Sequence, residues 1–156
     1  MAAQMVRKGS RLADIGTDHA YLPVYLIQKG ICPKAVAADL REMPLKNAKE
    51  TVIENQLTDK VTLILSDGLD SVPEDIADDI TLAGMGGDLI SDILSRIQWI
   101  KNKDIRIIAR NGYNNLNFNF DKLVKEVLKS SEGKWEIIKS ESKSDWYFAM
   151  GRFKIG

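Results

Sequence analysis

The residues of this chain whose types and spacing could do chemistry are acids and glycines set where apolar runs stop. Leu12 to Ile15 is a short apolar run that enters Gly16, and a helical pattern follows from Leu22 to Lys29. A strand, a glycine turn and a helix start are the arrangement that offers backbone N–H groups to a ligand. A pyrophosphate-binding turn needs a further glycine at position 18, so that the backbone can approach the phosphates. This chain carries Asp18 there, with Asp14 at the strand end. Two carboxylates repel a pyrophosphate and attract a cation.

Further acids and glycines continue the pattern. Asp39 closes the run Ala35-Val-Ala-Ala-Asp39, where an acid accepts hydrogen bonds from ribose hydroxyls. A lone strand-end Asp also serves as a helix cap or turn residue. Leu40 follows it, placed to pack against an adenine face. Asp67-Gly68 closes the run from Val61; its carboxylate suits the adenine amino group, and the alternative is a plain Asp-Gly turn. Acids at three successive strand ends are hard to attribute to turns alone. In Ala83-Gly84-Met85-Gly86-Gly87 a fourth strand runs into three glycines before a helix pattern from Leu89. One glycine would serve a turn, and each additional one costs conformational entropy, so a ligand lying against bare backbone accounts for them better. Met85 lies under that ligand or simply packs. A nucleoside without phosphate that carries a sulfonium and an ammonium, S-adenosyl-L-methionine, matches a glycine-lined site bordered by acids.

His19 and Tyr21 flank Asp18 in the first loop. His19 has either a satisfied structural role or a place in the site; Tyr21 either stacks on an acceptor base or fills the top of the helix. Cys32, in Gly30-Ile-Cys-Pro33, reads as an inert turn residue, and Trp99, Trp135 and Trp146 read as structural.

The elements that must position these residues alternate. Strands are expected at Leu12–Ile15, Ala35–Ala38, Val61–Leu65, Ile80–Ala83, Ile105–Ala109, Trp135–Ile138 and Trp146–Phe153, with helices at Leu22–Lys29, Leu45–Glu54, Leu89–Ile97 and Phe120–Leu128. Pro44 suits a first helical turn. Alternation argues for a parallel sheet with right-handed crossovers. The last two runs, separated only by polar Lys139–Asp145, leave no room for a crossover helix and should pair as an antiparallel hairpin. The expected fold is α/β and Rossmann-like, a mostly parallel seven-stranded sheet ending in an antiparallel hairpin, which is the layout of class I methyltransferases. That hairpin and Asp18 both point away from nicotinamide cofactors. Asn111 to Asn119 holds five asparagines and follows the fifth strand, as a loop over the site or an irregular stretch.

Composition narrows the classes. The 156 residues, 44% of them hydrophobic, suffice for one domain with a real core. One cysteine excludes an internal disulfide, and with one histidine no metal site is expected. No run reaches membrane-span length and the N-terminus lacks a signal-peptide stretch, so a cytoplasmic protein is expected. Formal net charge is zero, but residues 61–100 are acidic and residues 101–156 basic. That is either a basic face for a polyanion or a solvated surface of mixed sign, and charge alone does not make a strong nucleic-acid binder.

Asp14-Ile-Gly-Thr-Asp-His-Ala-Tyr-Leu-Pro23 together with Ala83-Gly-Met-Gly-Gly87 closely resembles the bacterial tRNA (adenine-22-N1)-methyltransferase family, TrmK, and Arg7-Lys-Gly-Ser-Arg-Leu12 resembles its lead-in. The resemblance runs from about Met5 to Ala109. It implies methyl transfer from S-adenosyl-L-methionine to N1 of the adenine at tRNA position 22. It places Asp14, Gly16, Asp39, Asp67, Gly68, Ala83, Gly84, Met85, Gly86 and Gly87 at the cofactor. It places Asp18, in the string that also holds His19 and Tyr21, where the acceptor adenine meets the methyl. Two departures stand out. The family has Gln-Pro after the fifth strand, where this chain reads Ala109-Arg-Asn111, and the family's C-terminal coiled-coil domain has no counterpart in residues 1–156, which are expected to be the catalytic domain. The alternatives are a class I methyltransferase with another nucleic-acid or small-molecule acceptor, and a module that holds the cofactor without transferring its methyl. Oligomeric state is not legible.

Overall fold

The computed structural model describes residues 2–85, 87–96, 105–111, 135–143 and 146–153, and the chain divides into two compact units, Met1–Thr81 and Leu82–Gly156. The first unit runs from a short 3-10 turn at Ala2–Gln4 through β1 (Leu12–Ile15), α1 (Tyr21–Gln28), β2 (Ala35–Asp39), α2 (Glu42–Glu54) and β3 (Val61–Leu65) into the start of β4 (Asp79–Met85). Its strands stand in the order β3-β2-β1-β4. β1 and β2 pair in parallel from Leu12 opposite Ala35 to Ile15 opposite Ala38, and β2 pairs with β3 from Ala35 opposite Val61 to Asp39 opposite Leu65. Every residue of β1 and β2 is buried, as in parallel strands covered on both faces. Asp14 and Asp39 are the two ionisable residues in those strands.

The helices start earlier than the apolar pattern indicates. α1 begins at Tyr21, after Ala20 in the left-handed region at φ 56, whose N–H donates to Thr17 Oγ1 at 3.1 Å. The Thr17 hydroxyl thus shapes a helix entry that sequence periodicity does not register. α2 begins at Glu42 and not Leu45: Glu42 carries no apolar signal, and Met43 points to solvent, off the buried face. Its Pro44 sits in that first turn, where an N–H is not needed, and lines one buried face with Ala48 and Val52. Between β3 and β4 the alternation lapses: residues 66–78 are turns without a helix.

A clamp closes this unit at the opposite strand ends. Arg7 donates from its backbone N–H to Asp79 Oδ2 and from Nε to Asp79 Oδ1, both at 2.7 Å. Arg11 grips Asp78 with Nε at 3.0 Å and Nη2 at 2.9 Å. Asp79 is fully buried, and the Arg11 bond holds the Asp78 carboxyl below its ordinary range.

The second unit holds the end of β4, α3 (Gly87–Arg96), β5 (Arg106–Asn111), β6 (Trp135–Lys143) and β7 (Trp146–Phe153), with strands in the order β4-β5-β7-β6. β7 runs antiparallel to β5, from Arg106 opposite Arg152 to Asn111 opposite Tyr147. β6 runs antiparallel to β7, with a register shift between Ile137 and Lys139. α3 buries Ile90, Ile93 and Leu94 on one face and carries an Asp92–Arg96 pair one turn apart at 3.3 Å. Gly86, Trp99, the helix expected at Phe120–Leu128 and residues 112–119 of the Asn-rich stretch lie outside the described residues; Asn111 is the last residue of β5.

Candidate functional site

In the first unit the loops that follow β1 and β3 are stitched to the carboxyl end of β2. Gly16 and Thr17 both donate their N–H to Ala38 O, at 2.9 and 3.0 Å, and Ser66 N–H donates to Asp39 O at 2.9 Å. This corrects one expectation. The N–H groups of Gly16 and its neighbour are spent on β2 and are not held out to a ligand. Gly16 is instead required by its backbone, at φ 79, a region where a Cβ is strained. Gly68, at φ 59, is fixed similarly. Its carbonyl accepts from Ser66 Oγ at 2.8 Å, and the same hydroxyl accepts Ser71 N–H at 3.0 Å. Asp67 beside it is exposed.

Asp14 lies inside β1, one residue before its end, and is only 8% exposed. Thr81, fully buried on β4, donates its hydroxyl to Asp14 Oδ1 at 2.8 Å. The Thr17 hydroxyl bonds to the same carboxyl, and the Asp39 charge acts on it from β2. Burial pushes the Asp14 pKa up to about 6; the two threonine bonds oppose the rise and Asp39 adds to it. The result is a buried acid that titrates close to neutrality. Asp39, equally buried, accepts Arg41 N–H at 2.9 Å and Arg41 Nε at 3.3 Å on one oxygen, so it also shapes the entry into α2. Next to it Leu40 leaves 63% of its surface uncovered.

Asp18, His19 and Tyr21 stand together at the start of α1. The His19 and Tyr21 rings stack 4.9 Å apart at 9°, and Asp18 Oδ2 lies 3.6 Å from His19 Nε2. Asp18 and Tyr21 are both well exposed. Asp14, Asp39, Thr17 and Thr81 thus form one interacting set, and Asp18, His19 and Tyr21 another. The string Ala83–Gly87 belongs to the second unit, where it carries β4 to its end and opens α3 at Gly87; Met85 is buried there. Cys32 is buried, with its thiol pushed up by desolvation. Sequence reasoning missed Thr17, Thr81 and Ser66. The signal available for Thr81 was a hydroxyl inside the otherwise apolar run Ile80 to Ala83, which propensity counts only as a good strand former.

Among the described residues no cluster of His, Cys, Asp and Glu could hold a metal ion, and no helix is long and apolar enough to cross a membrane. The first unit thus carries buried and exposed acids along one strand edge of a Rossmann-like α/β fold. Comparison with known proteins names the class: the methyltransferase-domain family matches residues 1–141, and the chain belongs to it. Among the proteins it resembles within that class are tRNA methyltransferases. The chain is 39% identical over 92 residues to the tRNA (adenine(22)-N(1))-methyltransferase of Bacillus subtilis, a match covering 59% of this chain and 39% of that protein. A solved structure from Streptococcus agalactiae in the NADB-Rossmann superfamily aligns with a TM-score of 0.83 and 31% identity, over 99% of this chain and 67% of that one. TrmK from M. capricolum, solved with the cofactor product S-adenosyl-homocysteine, aligns at 0.79 and 29%, over 98% and 66%. The chain therefore spans well under half of its curated relative and about two thirds of these solved ones.

Proposed function

We propose that this chain carries the catalytic unit of an S-adenosyl-L-methionine-dependent methyltransferase acting on N1 of adenine 22 in tRNA. The observation that carries the reading is the Asp14 set: a buried carboxylate at the edge of parallel strands, beside a second acid and an uncovered leucine. A cation suits such a carboxylate, and a phosphate does not. The residues fit a positively charged, phosphate-free nucleoside. Asp14 would meet its charged end, Asp39 its ribose and Leu40 its base, with Gly16, Asp67 and Gly68 framing the edge. The kinship with TrmK proteins supports the same donor and acceptor.

When bound, S-adenosyl-L-methionine supplies an electrophilic methyl group. Adenine N1 has an in-plane lone pair, so the chain's residues need not generate a nucleophile. Their work is positioning, which contributes on the order of 7–11 kcal/mol in well-aligned reactions, and stabilisation of the charge that develops on the base. Asp18, exposed at the loop, accepts a hydrogen bond from the exocyclic amine. The preassembled His19–Tyr21 stack offers a flat surface to a base drawn out of its helix.

Calorimetry with S-adenosyl-L-methionine and transfer of a labelled methyl to unmodified tRNA test the reading together. Binding and transfer to adenine 22 are expected, and Asp18→Asn should lower turnover at least tenfold, about 1.4 kcal/mol, with a smaller change in cofactor affinity. Binding without transfer to any RNA would favour a cofactor-holding module, and full turnover in the Asn variant would remove Asp18 from its role.

A further inference from the structure

Asp14 would be a poor acid to bury for any structural purpose. A carboxylate in a parallel strand loses its hydration, and the ordinary outcome is an apolar residue there. Here the chain surrounds it with two hydroxyl donors from two different segments. Thr81 reaches it from β4 at 2.8 Å, with Ala13 O a more distant 3.5 Å from the same hydroxyl. Thr17 reaches it from the loop after β1. The Thr17 oxygen is itself oriented, because it accepts Ala20 N–H at 3.1 Å, which leaves its own proton for the carboxylate. Both threonines are buried, at 3% and 0% exposure, so neither bond competes with bulk water. The charged group acting on Asp14 is Asp39 from β2, which opposes ionisation; β4 and the loop offer the uncharged Thr81 and Thr17.

We infer that Thr17 and Thr81 are positioning residues of the donor site: their hydroxyls aim the Asp14 carboxylate and hold it ionised, so cofactor binding is linked to a proton whose threshold these two threonines set. This rests on the proposed donor-site reading and adds a regulation to it. A carboxyl near its midpoint in the free protein must give up its proton when a cation docks against it, so binding releases protons at mildly acid pH and none at alkaline pH. Removing one donor raises the threshold, because a hydrogen bond to the ionised form is what lowers it.

The test is cofactor affinity from pH 5.5 to 8.5 by calorimetry, in buffers of different ionisation enthalpy to count protons released, alongside the carboxyl carbon signal of Asp14 followed by NMR in the free protein. For Thr81→Val the midpoint of both profiles should move up by about one pH unit, weakening binding at pH 6 about fivefold and leaving pH 8.5 nearly unaffected. Thr81→Ser, which restores the donor, should return the midpoint toward wild type, and Thr17→Ser serves as the second variant, retaining its donor. A Thr81→Val profile superimposable on wild type, or affinity independent of pH, overturns the inference while leaving the donor site standing. Wild-type protein that binds no S-adenosyl-L-methionine at pH 8.5 overturns the donor-site reading and this inference with it.

Discussion

Asp14 costs this protein stability at neutral pH. Its pKa moves from 3.8 to about 6 on folding because burial dominates, so the folded chain binds a proton that the unfolded chain has released across that window. Stability therefore rises as pH falls through it, the reverse of the usual carboxylate. A shift of this size corresponds to about 3 kcal/mol. Asp14→Asn should raise the unfolding free energy by about 2 kcal/mol at pH 8, since an amide still accepts the Thr81 bond without a charge to desolvate. The gain should shrink toward zero at pH 4.5. Urea denaturation at the two pH values measures it, and the same variant should lose cofactor affinity at least tenfold, about 1.4 kcal/mol or more. No gain at pH 8 would mean that the carboxylate is better solvated than its burial indicates.

At the scale of elements, the carboxyl edge of the first unit depends on anchors at the other edge. β1 and β4 are tied where they begin, through Arg7 to Asp79 and Arg11 to Asp78, with Asp78 and Asp79 N–H both returning to Arg11 O. The Arg7-Lys-Gly-Ser-Arg lead-in, which resembles a family string, therefore has a structural job: it ties β1 to β4, the strand from which Thr81 reaches Asp14. Asp79→Ala leaves half-buried Arg7 without its carboxylate partner, and should cost about 3–5 kcal/mol, read by chemical denaturation. The neighbouring Asp78–Arg11 pair is more exposed and screened, so Asp78→Ala should cost much less. Asp78 contributes in the ordinary sense, with its stabilisation present at neutral pH and lost as acid protonates it.

For the molecule as a whole, a ligand that binds only the folded chain adds stability by mass action. S-adenosyl-L-methionine at a hundredfold excess over its Kd should add about 2.7 kcal/mol, visible as a higher melting temperature. NAD should add nothing, because its pyrophosphate would face Asp18 where a dinucleotide turn has glycine. Equal stabilisation by NAD would overturn the donor assignment. The Rossmann-like frame serves many chemistries, and the acids at its edge favour a sulfonium donor over a dinucleotide.

The sequence by itself determined the strands β1, β3 and β7 to the residue, the order of elements through α3, and the acids and glycines that border the edge, because these rest on apolar periodicity and on residue types with few alternative uses. It could not supply what depends on segments meeting across distance. Thr81 stands 67 positions from Asp14, so no local pattern joins them, and the helix entries at Ala20 and Arg41 are set by hydroxyl and carboxylate bonds that carry no hydrophobic signal. Tertiary structure alone decided that the Gly16 and Thr17 N–H groups bind β2. It also decided that the acid in β1 is buried, doubly hydrogen-bonded and poised near neutrality, since desolvation is a property of everything packed around a residue.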